Sequence, residues 1–496
     1  MADVHKRPNI LLFNPDQWRA DVMGHFGNPA AVTPTLDGFA ETDATSFSNA
    51  FCQNTVCTPS RCSFMTGWYP HVRGHRTMHH MLRPDEPMIL KTLKEEGYFV
   101  WWGGKNDVVP AQNSFDAYCD LKYTPPDTVL RPLQPSLHQA DAWRGDPDGD
   151  NYFSFYAGRV PIPQGDNVYF DRDWANVEGA IDFINNPPSS QPFCIYLPLT
   201  YPHPPYGVEE PWHGMIDRAA LPPRIPTPES WVDKPSILSR LAQGQRLEGW
   251  TEDRWNELRA TYYGMCARVD FQFGKVLEAL RLSGMYDDTA IFFFSDHGDF
   301  TGDYGLVEKT QNTFEDVLTR VPFLIKPPSW LPVTPGVSDA LIELVDLPAT
   351  IEALAGIQPR HDHFGCSLLP LVAGETLEHR ETVFCEGGRR HYETQAMEHE
   401  SNSAGTDGLY SPRLNWQVQE GPEHTKALMC RSKHYKYVMR LYETDELYDL
   451  SSDPGEEKNR IEDPVLSSVL KDLRGRTTRF LLETADVVPY ETDLRG

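Results

Sequence analysis

The amino-acid sequence predicts an α/β fold: a large, mostly parallel sheet flanked by helices, with a smaller α+β subdomain at the C-terminal end. Three observations predict it. Brief apolar runs, each followed by polar or glycine-rich residues, recur through the first three-quarters of the chain. Helical patterns are interleaved with them, as parallel strands require. After about residue 375 the texture becomes polar and weakly patterned. The chain therefore divides into an α/β domain over residues 1–375 and an α+β subdomain over residues 376–496.

Taken in order, residues 9–13, 98–102, 193–199 and 290–294 read as buried strands. Residues 252–283 form the clearest helix. Thr251 suits its N-cap, Glu252 and Asp253 suit its first turn, and Gly284 suits its stop. Trp255, Leu258, Tyr262, Met265, Val269, Val276 and Leu280 give it one apolar face. Residues 120–246 are long, Pro-rich and irregular, and are expected to form loops over one end of the sheet. Asp146, Asp148 and Asp150 resemble the start of a calcium loop, but Asn151 and Ala157 break its pattern, so a solvated turn is expected. Further on, residues 435–439 and 446–448 suggest short strands and residues 464–482 a closing helix.

Composition excludes several function classes. The 496 residues carry 45 Lys+Arg against 71 Asp+Glu, a net charge of −26. Nucleic-acid binders and proteins docked on anionic membranes carry basic faces instead. No apolar stretch approaches the length of a membrane span or a signal peptide, so a cytoplasmic protein is expected. Nine scattered cysteines without a C-x-x-C pair make a poor disulfide framework or thiolate zinc site.

Ligands collect at the carboxyl ends of strands in an open α/β sheet. The first strand leads to Asp16 and Gln17, the second to Lys105, Asn106 and Asp107. The third leads to His203, and the fourth to Asp296, His297 and Asp299. Asp16, Gln17, Asp296 and His297 have the donor chemistry for Ca²⁺, Mg²⁺ or Mn²⁺. A plain strand-ending turn at Asp296-His297-Gly298 is the competing reading. Pro59 suits the first turn of a short helix, which puts Cys57 at a helix N-terminus as a candidate nucleophile of lowered pKa.

Cys57-Thr58-Pro59-Ser60-Arg61 resembles the C-x-P-S-R signature of the formylglycine-dependent sulfatases, and the similarity runs along nearly the whole chain. The segment 8–17 resembles that family's first metal strand. The segment 295–309 resembles its second metal and lysine motif, and 446–455 its C-terminal signature. The resemblance implies an alkaline phosphatase-like fold and hydrolysis of sulfuric esters. It implies that a formylglycine-generating enzyme oxidises Cys57, whose hydrated aldehyde is both the nucleophile and a metal ligand. A covalent sulfo-enzyme then forms and collapses. By the same resemblance Lys105 and Lys309 stabilise the sulfate, Arg61 holds the site, and His203 serves the leaving group. The metal set is Asp16, Gln17, Cys57, Asp296 and His297, and Ca²⁺ is the usual ion.

The sequence departs from that pattern in two places. Gln17 replaces a common aspartate, as in the phosphonate monoester hydrolase and choline sulfatase branches. Asp107 replaces a common histidine, and as an ionised acceptor it is expected beside a cation or turned away from the sulfate. A small sulfated sugar is the expected substrate. Phosphonate monoester or phosphodiester hydrolysis with the same nucleophile is the alternative, and a catalytically silent anion-binding protein the alternative of another class.

Overall fold

A computed structural model describes residues 6–125, 141–398 and 408–490, apart from 165, 167, 168 and 420, together with 492 and 495. Parts of the expected loop region 120–246 and of the polar stretch near 400 fall outside the described residues. In chain order the strands are β1 (Asn9–Asn14), β2 (Thr45–Phe51), β3 (Phe99–Gly103), β4 (Leu121–Tyr123) and β5 (Tyr156–Arg159). They continue with β6 (Phe193–Pro198), β7 (Tyr206–Val208), β8 (Thr289–Phe294), β9 (Arg320–Val321), β10 (Phe323–Lys326) and β11 (Gly336–Glu343). The main sheet runs β11-β2-β10-β8-β1-β6-β3-β4, with β9 beside β2, while β5 and β7 pair separately. Within it, β8, β1, β6, β3 and β4 are mutually parallel. The short β10 and β9 run antiparallel to their neighbours, so the sheet is largely but not wholly parallel.

The central strands are apolar without a break because both faces are covered. In β1, Ile10 and Leu12 join one core, whereas Leu11 and Phe13 join the other. In β8, Ala290, Phe292 and Phe294 alternate with Ile291 and Phe293 in the same way. The long helix Glu252–Leu282 covers the second face, and the Thr251 hydroxyl accepts from Arg254 N at its start. Its Phe273 packs edge-on to Phe13, ring centres 5.0 Å apart.

The region 120–246 is more ordered than its proline content suggests. It contains the helices Arg172–Asn185 and Ser236–Gln245. Asp146–Asp150 forms a turn: Asp148 N donates to Asp146 Oδ1 at 3.0 Å, and Asp150 pairs with Arg254.

Beyond residue 380, β12 (Val383–Gly387), β13 (Ala427–Arg431), β14 (Tyr435–Arg440) and β15 (Glu446–Asp449) make an antiparallel sheet. The helix Ser467–Glu483 closes over it, with Phe480 stacked on Phe384 at 3.9 Å. This sheet reaches back toward the site. Arg440 Nη1 donates to Asn312 O at 2.9 Å, Lys436 Nζ donates to Phe314 O at 2.6 Å, and Arg431 pairs with Asp316 at 2.8 Å. Three buried cations thus fix the loop that follows Lys309. No helix among the described residues is long and apolar enough to cross a membrane.

Candidate active site

The parallel strands β1, β3, β6 and β8 end on the same edge of the sheet, and their following residues converge on Cys57. Its helix, Cys57–Thr66, is wholly buried. The Cys57 Sγ lies 3.1 Å from His297 Nε2, 3.6 Å from Asp16 Oδ1 and 3.6 Å from Lys105 Nζ. Asp16, Cys57, Asp296 and His297 each offer one donor atom, all within 4.8 Å of one another. Two carboxylates, an imidazole nitrogen and a position that can carry oxygen suit a divalent cation. His297 Nδ1 lies 2.9 Å from Gly298 O. That contact makes Nδ1 the protonated nitrogen and leaves Nε2 with its lone pair toward Cys57. Burial holds His297 below its usual pKa, which favours this neutral form.

Cys57 departs from the expectation of a lowered pKa. Burial, reinforced by Asp16, pushes the thiol up to about 12. The helix N-terminus is present, but desolvation and a neighbouring carboxylate outweigh it.

Arg61, fully buried, organises this floor. Its Nε donates to Asp296 Oδ2 at 2.9 Å and its Nη2 to Asp16 Oδ2 at 2.7 Å. Its Nη1 donates to Asn14 Oδ1 and Tyr196 Oη, both at 3.0 Å. Burial works against the charge on Arg61, but Asp296 and Asp16 hold the guanidinium firmly protonated. Lys105 Nζ stands 2.6 Å from Asp16 Oδ2 and 3.0 Å from Asp107 Oδ2. Asp107 therefore sits beside a cation, as its charge requires.

Lys309 Nζ contacts Gln17 Oε1 at 2.6 Å, Glu308 Oε1 at 2.6 Å and His203 Nε2 at 2.9 Å. His203 Nδ1 faces Pro204 O at 2.6 Å, so Nε2 is the acceptor for Lys309. The His203 turn is held by Asp173, whose carboxylate accepts from Thr200 N and Tyr201 N. Gln17 stands apart from the four-donor cluster: its Oε1 is taken by Lys309 and its Nε2 donates to Asp299. Its backbone N, at φ 69°, donates to Asp296 Oδ1 at 3.0 Å.

Gly104 sets the position of Lys105. Its φ is +89°, and a Cβ there would lie 2.0 Å from the Pro198 carbonyl oxygen, which also accepts from Lys105 N. Gly104→Ala is expected to cost about 2 kcal/mol or more of stability and to displace Lys105. Thermal unfolding and kcat/KM measured together check this, and both should fall.

The site opens into a cavity of about 750 Å³, with Cys57, Lys105, His203 and Lys309 at its base. Much of its wall was not singled out in the sequence. Lys122 and Arg172 line one part, and Glu398, Tyr410 and Arg413 another. Of His75, His79 and His80, which follow the Cys57 helix in sequence, His79 alone lines the cavity. His75 pairs with Glu86 at 3.0 Å and His80 bonds to Thr77, both structural roles.

The sulfatase family profile matches residues 8–357. The chain belongs to the sulfatase family. It is a hydrolase of sulfuric esters, built on the alkaline phosphatase-like fold. The multifunctional alkaline phosphatase superfamily protein PehA of Trinickia caryophylli is 26% identical over 97% of this chain and 96% of its own. An ulvan-active sulfatase of Formosa agariphila is 25% identical over 98% of this chain and 83% of its own. The crystal structure of a phosphonate monoester hydrolase of Agrobacterium radiobacter superposes with a TM-score of 0.73. It shares 21% identity and covers 97% of this chain and 96% of that one.

Proposed function

We propose that this sulfatase cleaves a small sulfated carbohydrate, using formylglycine made from Cys57 and a divalent cation, with Ca²⁺ the ion that the family resemblance implies. The observation that carries this reading is the convergence of the Lys105 ammonium, the Asp16 carboxylate and the His297 imidazole on one sulfur atom, Cys57 Sγ. Asp16, Asp296, His297 and residue 57 would hold the cation, with Gln17 as a fifth ligand once its amide oxygen leaves Lys309. When bound, that cation supplies Lewis-acid stabilisation of the sulfate oxygens. A formylglycine hydrate would supply a nucleophile with a second hydroxyl on the same carbon to expel sulfate, which a cysteine S-sulfonate lacks.

The remaining work belongs to the chain's own side chains. Lys105 and Lys309 both line the cavity beside residue 57, where they bind the anion and offset charge in the transition state. Both are already engaged by carboxylates, Asp16 and Glu308, so they are positioned before substrate arrives. His203 holds its Nε2 toward Lys309, and a proton shared along that contact would serve the leaving-group oxygen. Arg61 fixes the two carboxylates and does not reach the substrate. A sulfated sugar is favoured by the ulvan-active relative and by a cavity large enough for one or two sugar rings.

A second reading, phosphonate monoester or phosphodiester hydrolysis, draws on Gln17, by which the sequence resembles the phosphonate monoester hydrolase branch. A panel of 4-nitrophenyl sulfate, a 4-nitrophenyl phosphonate monoester and a phosphodiester separates the two. The sulfate is expected to have the highest kcat/KM. Faster turnover of the phosphonate overturns the leading reading in favour of the second.

A further inference from the structure

The cavity wall carries charge that the sulfate-binding machinery does not use. Five cationic side chains line the cavity: Lys105, Lys122, Arg172, Lys309 and Arg413. Lys105 and Lys309 are paired with Asp16, Asp107 and Glu308. The other three lie within ion-pair distance of no carboxylate among the described residues. The acidic groups of the same wall are otherwise engaged. Asp173 holds Thr200 N and Tyr201 N, while Glu398 accepts from Met78 N and Gln311 Nε2.

Arg413 is the informative member. It is 7% exposed, and its buried Nε and Nη1 find no hydrogen-bond partner among the described residues. Its guanidinium lies 5.3 Å from the Tyr410 ring centre, a partial compensation at most. A buried charge with two unmet donors is costly. In a chain of net charge −26, carboxylates to satisfy it were abundant. Lys122, from the wall near β3, repeats the pattern. Among the described residues its Nζ donates only to Gly104 O, at 2.9 Å, and burial pulls it down to about 8 with no carboxylate among them to hold it up.

Resting on the sulfatase reading above, we propose that Arg413 is the anchor of a second anion subsite, so that the substrate is a small molecule bearing a carboxylate or second sulfate beside the sulfate ester that is cleaved. Lys122 and Arg172 extend the same positive field across the cavity mouth. Such a substrate gives the Arg413 guanidinium the counter-charge it lacks and is oriented by its two anions at once. A planar guanidinium suits either a carboxylate or a sulfate.

Matched sugars that share one sulfate ester test this: glucose monosulfates, the corresponding glucuronic acid sulfates, and glucose disulfates, compared position by position. Two readouts are taken. One is kcat/KM for the wild-type enzyme; the other is the calorimetric Kd for the non-turning Cys57→Ala protein. For at least one ester position the second anion is expected to raise kcat/KM and tighten Kd by about tenfold or more, mainly through KM. The uronic acid arm reports a carboxylate anchor and the disulfate arm a sulfate anchor. Arg413→Gln is expected to bring the ratio between paired sugars to within about twofold, and Arg413→Lys to retain an intermediate ratio.

Ratios near one for every pair in the wild type overturn the proposal, as does a full preference retained in Arg413→Gln. Turnover of sulfate esters without discrimination overturns this subsite alone. Anion-dependent binding to Cys57→Ala, with no sulfate ester turned over by the wild type, overturns the sulfatase chemistry and leaves the subsite standing.

Discussion

Cys57→Ala is expected to lose sulfate-ester turnover by about four orders of magnitude or more while the protein stays folded. The side chain is small, its sulfur lies 3.6 Å from both Asp16 and Lys105 and 3.1 Å from the neutral His297, and its helix is buried along its whole length. Truncation therefore costs little stability. It removes the one atom toward which His297, Lys105, Asp16 and the Lys309–His203 pair are arranged. The same chemistry predicts that unmodified Cys57 is nearly inactive: a sulfated cysteine has no second hydroxyl to expel sulfate. Mass spectrometry of the peptide containing Cys57 should show the loss for thiol-to-aldehyde conversion in active enzyme. Activity should scale with the converted fraction across preparations. Undiminished turnover by Cys57→Ala, or full activity from wholly unmodified protein, sinks this mechanism.

The positions at the strand ends were legible because β1, β6 and β8 are buried on both faces, and unbroken apolar runs advertise that condition. Asp16, Lys105, His203 and Asp296 all lie just past such runs. The strand β2 was not legible: Thr45-Ser-Phe-Ser-Asn-Ala-Phe51 mixes polar and apolar residues without a two-residue period. Its place in the sheet comes from pairing with β10 and β11, contacts far away in sequence. The same limit hid the cavity wall. Arg413 and Tyr410 sit on a four-residue helical turn, Ser411–Leu414, and the residue before it, brought to the site only by tertiary packing. At Cys57 the local rule was real but incomplete. A helix start lowers a thiol pKa only while solvent or positive charge supports the thiolate, and burial beside Asp16 removes that support.

Arg61→Leu is expected to destabilise the protein by about 3–5 kcal/mol. Arg61 and the carboxylates of Asp16 and Asp296 all have fully buried side chains, and the guanidinium lies 2.7 Å from one and 2.9 Å from the other. Removing it leaves two carboxylates in a poorly solvated site, with Lys105 the one lysine or arginine among the described residues still paired with Asp16. It also takes the Nη1 donor, at 3.0 Å, from both Asn14 Oδ1 and the Tyr196 hydroxyl, which are then left with only their mutual hydrogen bond at 3.2 Å among these contacts. Arg61→Lys keeps one charge but cannot bridge all four partners at once, so an intermediate loss is expected. Denaturant unfolding of these variants without added metal gives the magnitudes. The decisive comparison is Arg61→Leu in an Asp16→Asn/Asp296→Asn background. If uncompensated charge is the cause, the arginine's removal there should cost at least about 2 kcal/mol less than in the native background. An equal cost in both backgrounds would assign the role of Arg61 to packing and neutral hydrogen bonds instead.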